Sequence, residues 1–338
     1  MILGLAWLVA HRAVLVLPLL LLVSFLLFAA LRLLPVDVAA MSLPPTATLA
    51  EIAQQRHAMG LNRPIPAQYA IWLADVAAGR FGTSTALRRD AGVLVAQALP
   101  ATIELAGCAM VVATALGLGG GVLLFRVRGG WLEAVGDLGS TLAMSVPDFM
   151  WALLLLLMFG VLVPVLPFMG RLDPGLSVPR QTGFLLVDAM LTGKAVVLLS
   201  VLRHLALPAL SLGVAFSVPI MRVLRSSLLD VYHDDFIRQA RLRGVGEGRI
   251  LLCHALKNAI LPTLALLGVQ FGFLFGGTLL IEVIYGYPGI GNLMVDAVRN
   301  ADLPVIQAVG LSYCVVVLSI SVAIDALSLV MDPRGRAR

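Results

Sequence analysis

Charge is scarce in this chain. Only 13% of its residues are Asp, Glu, Lys or Arg, 60% are hydrophobic, and mean hydropathy reaches +0.98. Soluble globular domains carry about twice that share of charge, so the composition excludes one and indicates an integral membrane protein. Cysteine is nearly absent: Cys108, Cys253 and Cys314 show no C-x-x-C or Cys/His spacing, and two of them lie in apolar runs. A disulfide framework and a cysteine metal site are therefore not expected. The five histidines, His11, His57, His204, His233 and His254, are equally scattered. No phosphate-binding G-x-x-x-x-G-K-S/T occurs, since the single Gly-Lys pair, Gly193-Lys194, is followed by Ala195. Nucleotide hydrolysis by this chain is not expected. Internal repeats and convergent nucleophile, base or metal sets are also missing, which disfavours a self-contained secondary transporter or an intramembrane enzyme. The net charge of +5 comes from arginines beside apolar runs, where they report orientation rather than nucleic-acid binding.

What the chain does have is long uncharged runs. A helix needs about 20 apolar residues to cross a ~30 Å hydrocarbon core. Ala13 to Leu31, Leu105 to Phe125, Asn258 to Ile281 and Leu303 to Ile324 meet that length. A third span is expected between Asp137 and Arg171, and a fourth from about Leu205 to Met221, stopped by Arg222. Six spans follow. The 19 uncharged residues of the first exceed a cleavable signal core and predict a retained anchor. Phe184 to Leu202 is interrupted by Asp188 and Lys194 and is expected as an amphipathic helix at the interface. With both termini cytoplasmic, the inside carries Arg12, Arg126, Arg128, seven basic residues from Arg222 to Lys257, and Arg334, Arg336 and Arg338. These thirteen face six outside, Arg32, Arg171, Arg180, Lys194, Arg203 and Arg299, which satisfies the positive-inside rule. The Pro35 to Pro100 segment is long enough to cross regardless of charge.

Asp234 to Pro262 is too polar to span, yet its apolar residues recur at helical spacing on both sides of Gly244. It predicts two short helices joined at a glycine turn. The first would run from span four through Arg222, Arg225, Asp230 and Asp234 to about Arg241, and the second would lead to Pro262, where span five begins. Such an element suits a rigid lever moved by a partner. A basic stretch that only sets orientation, or that touches anionic headgroups, is the alternative. In span five, Gly268, Gly272 and Gly276 lie four apart, followed by Gly277, a stripe for close helix packing or for a pore lining. Gly117, Gly119, Gly120 and Gly121 in span two fit flexibility or close packing equally. Asp148 falls mid-membrane or at the boundary, depending on where span three starts. Glu104 is expected at the start of span two, where a carboxylate meets a helix N-terminus. Glu282 ends span five before the Tyr285 to Gly291 turn, which holds Pro288; Tyr285 and Tyr287 are expected as interfacial anchors.

The segment RQARLRG at Arg238 to Gly244, followed by RILLCHALKNAILP at Arg249 to Pro262, resembles the cytoplasmic EAA loop of ABC-transporter permeases. The branch it is similar to is the dipeptide, oligopeptide and nickel permease family, B-type subunit. LNRPIPAQYAIWLADVAAGRFGTS at Leu61 to Ser84, LPATIEL at Leu99 to Leu105, SVPDF at Ser145 to Phe149, IEVIYGYPGIGNLMVDAV at Ile281 to Val298 and the terminal MDPR at Met331 to Arg334 extend the match in order. Arg238-Gln239-Ala240 stands where Glu-Ala-Ala would, so Ala240 and Gly244 are the matched positions of the loop.

The resemblance implies an all-α, six-helix permease of the type I ABC importer fold in a bacterial inner membrane. Residues 1–34 would hold the N-terminus and first span, 35–100 an external segment, and 101–338 the core, with a coupling loop over 222–258. It implies no catalysis and no cofactor in this chain, with ATP and Mg²⁺ in two partner ATPases. A second, C-type permease and an external solute-binding protein would complete the assembly. Arg238, Gln239, Ala240, Arg241, Arg243, Gly244 and Val245 would form the ATPase-coupling loop, with Ala240 admitting a partner backbone and Arg238, Arg241 and Arg243 meeting acidic groups. Asp148, Gly268, Gly272, Gly276, Glu282, Tyr285 and Pro288 would line the path or its gate. Tyr69, Trp72 and Phe81 would belong to an external cap. The expected cargo is a peptide, with nickel or another small conjugate as the alternative.

Overall fold

The computed structural model describes residues 2–33, 38–41, 43, 46–58 and 60–331. The orientation residues Arg334, Arg336 and Arg338, the last three residues of the MDPR run and Pro35 lie outside the described residues. The elements are α1 (Ile2–Leu33), α2 (Val38–Met41), α3 (Leu49–Ala58), α4 (Ile65–Ala77), α5 (Ala91–Arg126), α6 (Trp131–Ser145), α7 (Asp148–Leu155), α8 (Leu185–Leu191), α9 (Ala195–Val231), α10 (Asp235–Leu242), α11 (Glu247–Arg249), α12 (Leu256–Ile284), α13 (Ile290–Arg299) and α14 (Leu303–Met331). A π-helical turn, Leu156–Leu162, continues α7, and another, Ile250–Ala255, joins α11 to α12. Helices dominate because a chain this apolar must satisfy its backbone N–H and C=O groups internally once water is excluded. Where helices begin in polar surroundings, side chains close them. Asp90 Oδ1 accepts the Val93 N–H at 3.0 Å above α5, and Thr48 with Glu51 forms a reciprocal capping box on α3.

Among the described residues five stretches are long and apolar enough to cross a membrane: Val16–Leu33, α5, α9, Glu247–Ile284 and Leu303–Ile324. A bent helix pair supplies a sixth candidate. α6 and α7 with its π turn pass the same test only together and are bent by 103° at Val146-Pro147, where Pro147 has no N–H to continue the ladder. The expectation of one amphipathic helix over Phe184 to Leu202 needs correction. α8 stops at Leu191, Gly193 reverses the chain at φ +65°, and Ala195 to Leu202 form the outset of α9. Asp188 fixes the other end of α8, its carboxyl accepting the Thr182 hydroxyl at 2.7 Å and the backbone N–H groups of Gln181, Thr182 and Gly183. Those donors, the Thr182 hydroxyl first, hold the carboxyl below the ordinary aspartate range. Span four therefore starts ten residues before Leu205, and Arg203 is accommodated by donating to the Val165 carbonyl at 2.9 Å.

The chain divides into two compact units, Met1–Pro100 with Pro288–Ser319, and Ala101–Tyr287 with Ile320–Arg338. In the first, α4 lies on α1 through an aromatic face. Tyr69 packs edge-on against Phe25 and Phe28, Trp72 stacks on Phe28, and the Tyr69 hydroxyl lies 2.7 Å from Ser24 Oγ. Two of the aromatics expected in an external cap are thus committed to α1. In the same unit the Ser84 hydroxyl and the Ala86 N–H donate to buried Asp302, tying the 82–90 loop to the start of α14.

In the second unit α9 packs between α7 and α12, and α5 joins them through its glycines. A Cβ at Gly117 would stand 2.6 Å from Ile220 and 2.9 Å from the Ser217 carbonyl, and one at Gly121 would stand 2.9 Å from the Met221 carbonyl. Gly119 faces open space. Close packing against α9, not flexibility, is what the cluster provides. The span-five stripe divides similarly: Gly268 admits Ile324 of α14, Gly272 is half-buried, and Gly276 meets nothing within 4 Å. Arg222 and Arg225 are not loop residues but clamp α6 to α9. Arg225 reaches Asp137 at 2.5 Å and also Glu133, and Arg222 donates to Thr141 at 2.9 Å.

These contacts set a paired expectation for stability. Gly117→Ala forces overpacking between α5 and α9 and lowers stability by about 1–3 kcal/mol, whereas Gly119→Ala is neutral or stabilises by up to about 1 kcal/mol through helix propensity. Thermal unfolding midpoints of the two purified variants in detergent compare them, and an equal fall in both contradicts the packing assignment.

Candidate functional site

The polar segment after α9, the expected lever, folds as a short helix with its own apolar seat. α9 ends at Val231, and the turn bonds His233 N–H to Asp230 O and Asp234 N–H to Val231 O, both 3.1 Å, separate it from α10. The single long helix expected through Asp234 is therefore two. α10 buries one side chain completely: Ile237 lies among Phe125 of α5, Leu224 and Leu228 of α9, and Ile250, Leu251, Ala255 and Ala259 that follow. Removing that much aliphatic surface from water is worth roughly 1.5–3 kcal/mol. At the other end of α10, Gly244 takes φ +75°, its N–H bonds the Arg241 carbonyl at 2.9 Å, and the Val245 N–H bonds the Ala240 carbonyl at 3.1 Å. This is a Schellman motif, in which a left-handed residue satisfies the last carbonyls of a helix. Ala240 and Val245 lean against the same apolar cluster as Ile237, so the small side chain at 240 serves the seat.

The charged residues of the loop separate into two groups. Arg241 bends along the surface onto its neighbours, its Nε 2.6 Å from Glu247 Oε1 and its guanidinium 5.2 Å from the centre of the Tyr232 ring. The Glu247 hydrogen bond raises its pKa, and burial raises that of the Tyr232 hydroxyl, with Glu247 adding to it. Arg238, Gln239 and Arg243 are exposed, with Phe236 38% and Leu242 81% exposed beside them. The outward face thus combines cations with bare apolar side chains. Phe236, Leu242, Tyr232 and Glu247 escaped the sequence reading. A leucine between two arginines, Arg241 and Arg243, was the one available signal.

At the far end of α12 lies a buried polar cluster. Glu282 is fully buried and accepts the Thr102 hydroxyl at 2.6 Å. Tyr285 and Tyr287 are also buried, which corrects their expected place as interfacial anchors. Their hydroxyls find partners inside: Tyr285 donates to the Ala152 carbonyl of α7 and lies 3.0 Å from Ser211 of α9, and Arg171 Nε donates to Tyr287. Arg171 also pairs with Glu104 at 2.6 Å, and Glu104 accepts the Leu186 N–H at 2.8 Å. Glu104 sits well inside α5, so the helix start it meets is that of α8. Pro288 follows in the turn before α13. Asp148 opens α7 at the bend, with Oδ2 2.9 Å from where a Gly277 Cβ would stand and Leu212 beside it. Leu212 is near the middle of α9, so the carboxyl lies at mid-length of that helix. Among the described residues no group of three or more His, Cys, Asp or Glu gathers as metal ligands.

Residues 113–337 match the family model for the binding-protein-dependent transport system inner membrane component, and residues 5–104 match the N-terminal model of such membrane components. The chain is 34% identical to the di/tripeptide transport system permease protein DppB of Pseudomonas aeruginosa (strain UCBPP-PA14), over 97% of this chain and 98% of that one. It is 32% identical to the dipeptide transport system permease protein DppB of Alkalihalophilus pseudofirmus, over 96% and 97%. Among solved structures it is similar in fold to an inward-facing MetNI methionine ABC transporter chain, with TM-score 0.55 and 16% identity, covering 71% of this chain and 96% of that chain.

The seat of α10 predicts a local effect. Ile237→Ala costs about 2–5 kcal/mol, and because α10 has no other fully buried side chain, the loss appears as faster amide exchange over 235–245 while the α9 and α12 amides stay protected. Unchanged exchange over 235–245 contradicts the seat.

Proposed function

The chain belongs to the family of binding-protein-dependent transport system inner membrane components, and from that premise we propose that it is the B-type permease subunit of an ATP-driven peptide importer. The observation that carries this reading is the near full-length similarity to permeases named for di- and tripeptide transport, joined to a seated lever of the kind a separate motor needs. The chain is a multi-pass inner-membrane protein, with both termini and the lever in the cytoplasm. Residues 35–100 form the external segment. A C-type permease, two ATPases that bind ATP and Mg²⁺, and an external solute-binding protein complete the assembly, and this chain itself carries out no covalent chemistry.

The lever geometry supports a route for force. Phe236, Arg238, Leu242 and Arg243 form the outward face an ATPase grips, while Ile237 and the Gly244 turn keep α10 from moving independently of the spans. From Glu247 to Ile284 the chain is helical without a break, and 38 residues extend about 57 Å at 1.5 Å each. Movement of the lever therefore reaches Glu282 and Tyr285 through one rod. Those two residues hold α12 to α5, α7 and α9, which makes them a gate that opens when the rod shifts. Asp148, at mid-length of α9, is the acid placed along the path, where its charge meets the α-ammonium group of a passing peptide.

Two measurements test the reading. Gly244→Val strains the left-handed turn, and Ala240→Glu forces a carboxylate against the seat; each cuts transport roughly tenfold or more while membrane insertion and basal ATP hydrolysis by the assembled complex persist. Transport at the parental rate in both variants rejects the lever. Asp148→Asn slows uptake of a free-amine dipeptide about tenfold, the worth of one charge-assisted hydrogen bond, and leaves an N-acetylated dipeptide unaffected. Equal slowing of both peptides removes Asp148 from cargo recognition.

A further inference from the structure

Beside the lever lies a cavity of about 540 Å³ that the docking face does not use. Three guanidiniums line it, Arg126, Arg128 and Arg241, against one carboxylate, Glu247. Glu247 is already paired with Arg241, so the cavity retains two positive charges. Two of the three cations are fixed by stacking. Arg128 lies 4.2 Å over the Phe125 ring and 5.3 Å from the centre of Tyr232, donating to the Phe125 carbonyl at 3.1 Å, and Arg241 lies 5.2 Å from the same tyrosine ring. Tyr232 thereby holds two like-charged forks toward one space, an arrangement that gains stability when an anion enters between them. Arg126 has no hydrogen bond or ion pair among the described residues and stands ready as the third contact.

The chemistry suits a phosphate: planar guanidinium forks match its oxygens, and the excess positive charge of the cavity attracts its anionic one. The position decides the source. Arg126 is the last residue of α5, one of the membrane-crossing helices, so the cavity opens at the depth where a span leaves hydrocarbon for water. Leu251 and Phe125 complete its wall, and a lipid phosphate is the anion held at that depth by its own acyl chains. We propose that this cavity is a binding site for the headgroup of an anionic phospholipid, and that the bound phosphate joins the end of α5 to the lever. It bridges Arg126 and Arg128 on one side and Arg241 on the other, in competition with Glu247. The seating of α10 and α11 then depends on the lipid composition of the membrane. The site rests on these helices crossing a bilayer and does not require the peptide cargo.

The test is retention of lipid by the full-length chain itself, which separates it from any failure of transport. The protein is extracted from vesicles of equal phosphatidylglycerol and phosphatidylcholine, and bound lipid is counted by native mass spectrometry. Phosphatidylglycerol is retained in preference, and loss of arginine lowers that retention roughly fivefold per residue removed, in Arg126→Gln alone and further in Arg126→Gln with Arg128→Gln. The Arg126 side chain is exposed and makes no hydrogen bond or ion pair among the described residues, so its single variant folds. Arg238→Gln with Arg243→Gln, on the exposed face of the lever, leaves retention unchanged. Equal loss in that pair reveals diffuse basic attraction and overturns the site. Displacement of the lipid by millimolar inorganic phosphate assigns the cavity to free phosphate and overturns the lipid. Absence of any retained phosphatidylglycerol leaves the cavity to an acidic side chain of a partner protein and overturns it equally.

Discussion

The burial of Ile237 is the contact on which the rest of this molecule's behaviour turns. A helix as short as α10 is not stable in water by its own hydrogen bonds, because nucleation costs more than two turns return. It persists because one isoleucine enters a pocket built by three different spans, and because Gly244 closes its last carbonyls without strain. Phe125, Leu228 and Ile250 come from α5, α9 and the start of the α12 segment, so the pocket exists only when those spans are correctly packed. A push on α10 is consequently a push on all three.

The same logic governs the opposite end of α12. Glu282, Tyr285 and Tyr287 are polar groups removed from water, and each is tolerated because a neighbour supplies the missing hydrogen bond. Such bonds are directional and break over short displacements, unlike the broad apolar contacts along the shafts of the helices. A rod with an apolar seat at one end and directional polar contacts at the other converts a small movement into a discrete change. That asymmetry suits the proposed reading, in which a partner supplies energy at one face and cargo waits at the other.

Arginine illustrates how one residue type serves separate ends. Counted along the chain, the basic residues near the lever are a single block that sets orientation. In space Arg222 and Arg225 hold α6 to α9, Arg128 and Arg241 stack on one tyrosine, and Arg238 and Arg243 are exposed on α10 and its turn. Orientation needs only net charge near a span end, and the individual side chains remain available for packing.

Much of this was legible in one dimension. Apolar run length alone indicated the spans, since a hydrocarbon core admits no unpaired backbone, and the two-helix lever with its reversal at Gly244 follows from helical spacing around a residue without Cβ. Those properties are local: they depend on a residue and its near neighbours in the chain. The burial of Tyr285 and Tyr287 and the pairing of Arg241 with Glu247 were decided by the tertiary structure. Each depends on which distant group stands within about 3 Å, a hydrogen-bond distance; Ser211, Glu247 and Arg171 are remote in sequence from the residues they satisfy, or indistinguishable there from any other polar side chain. Length, spacing and charge are carried by the chain itself, whereas the pairing of buried polar groups exists only once the helices have met.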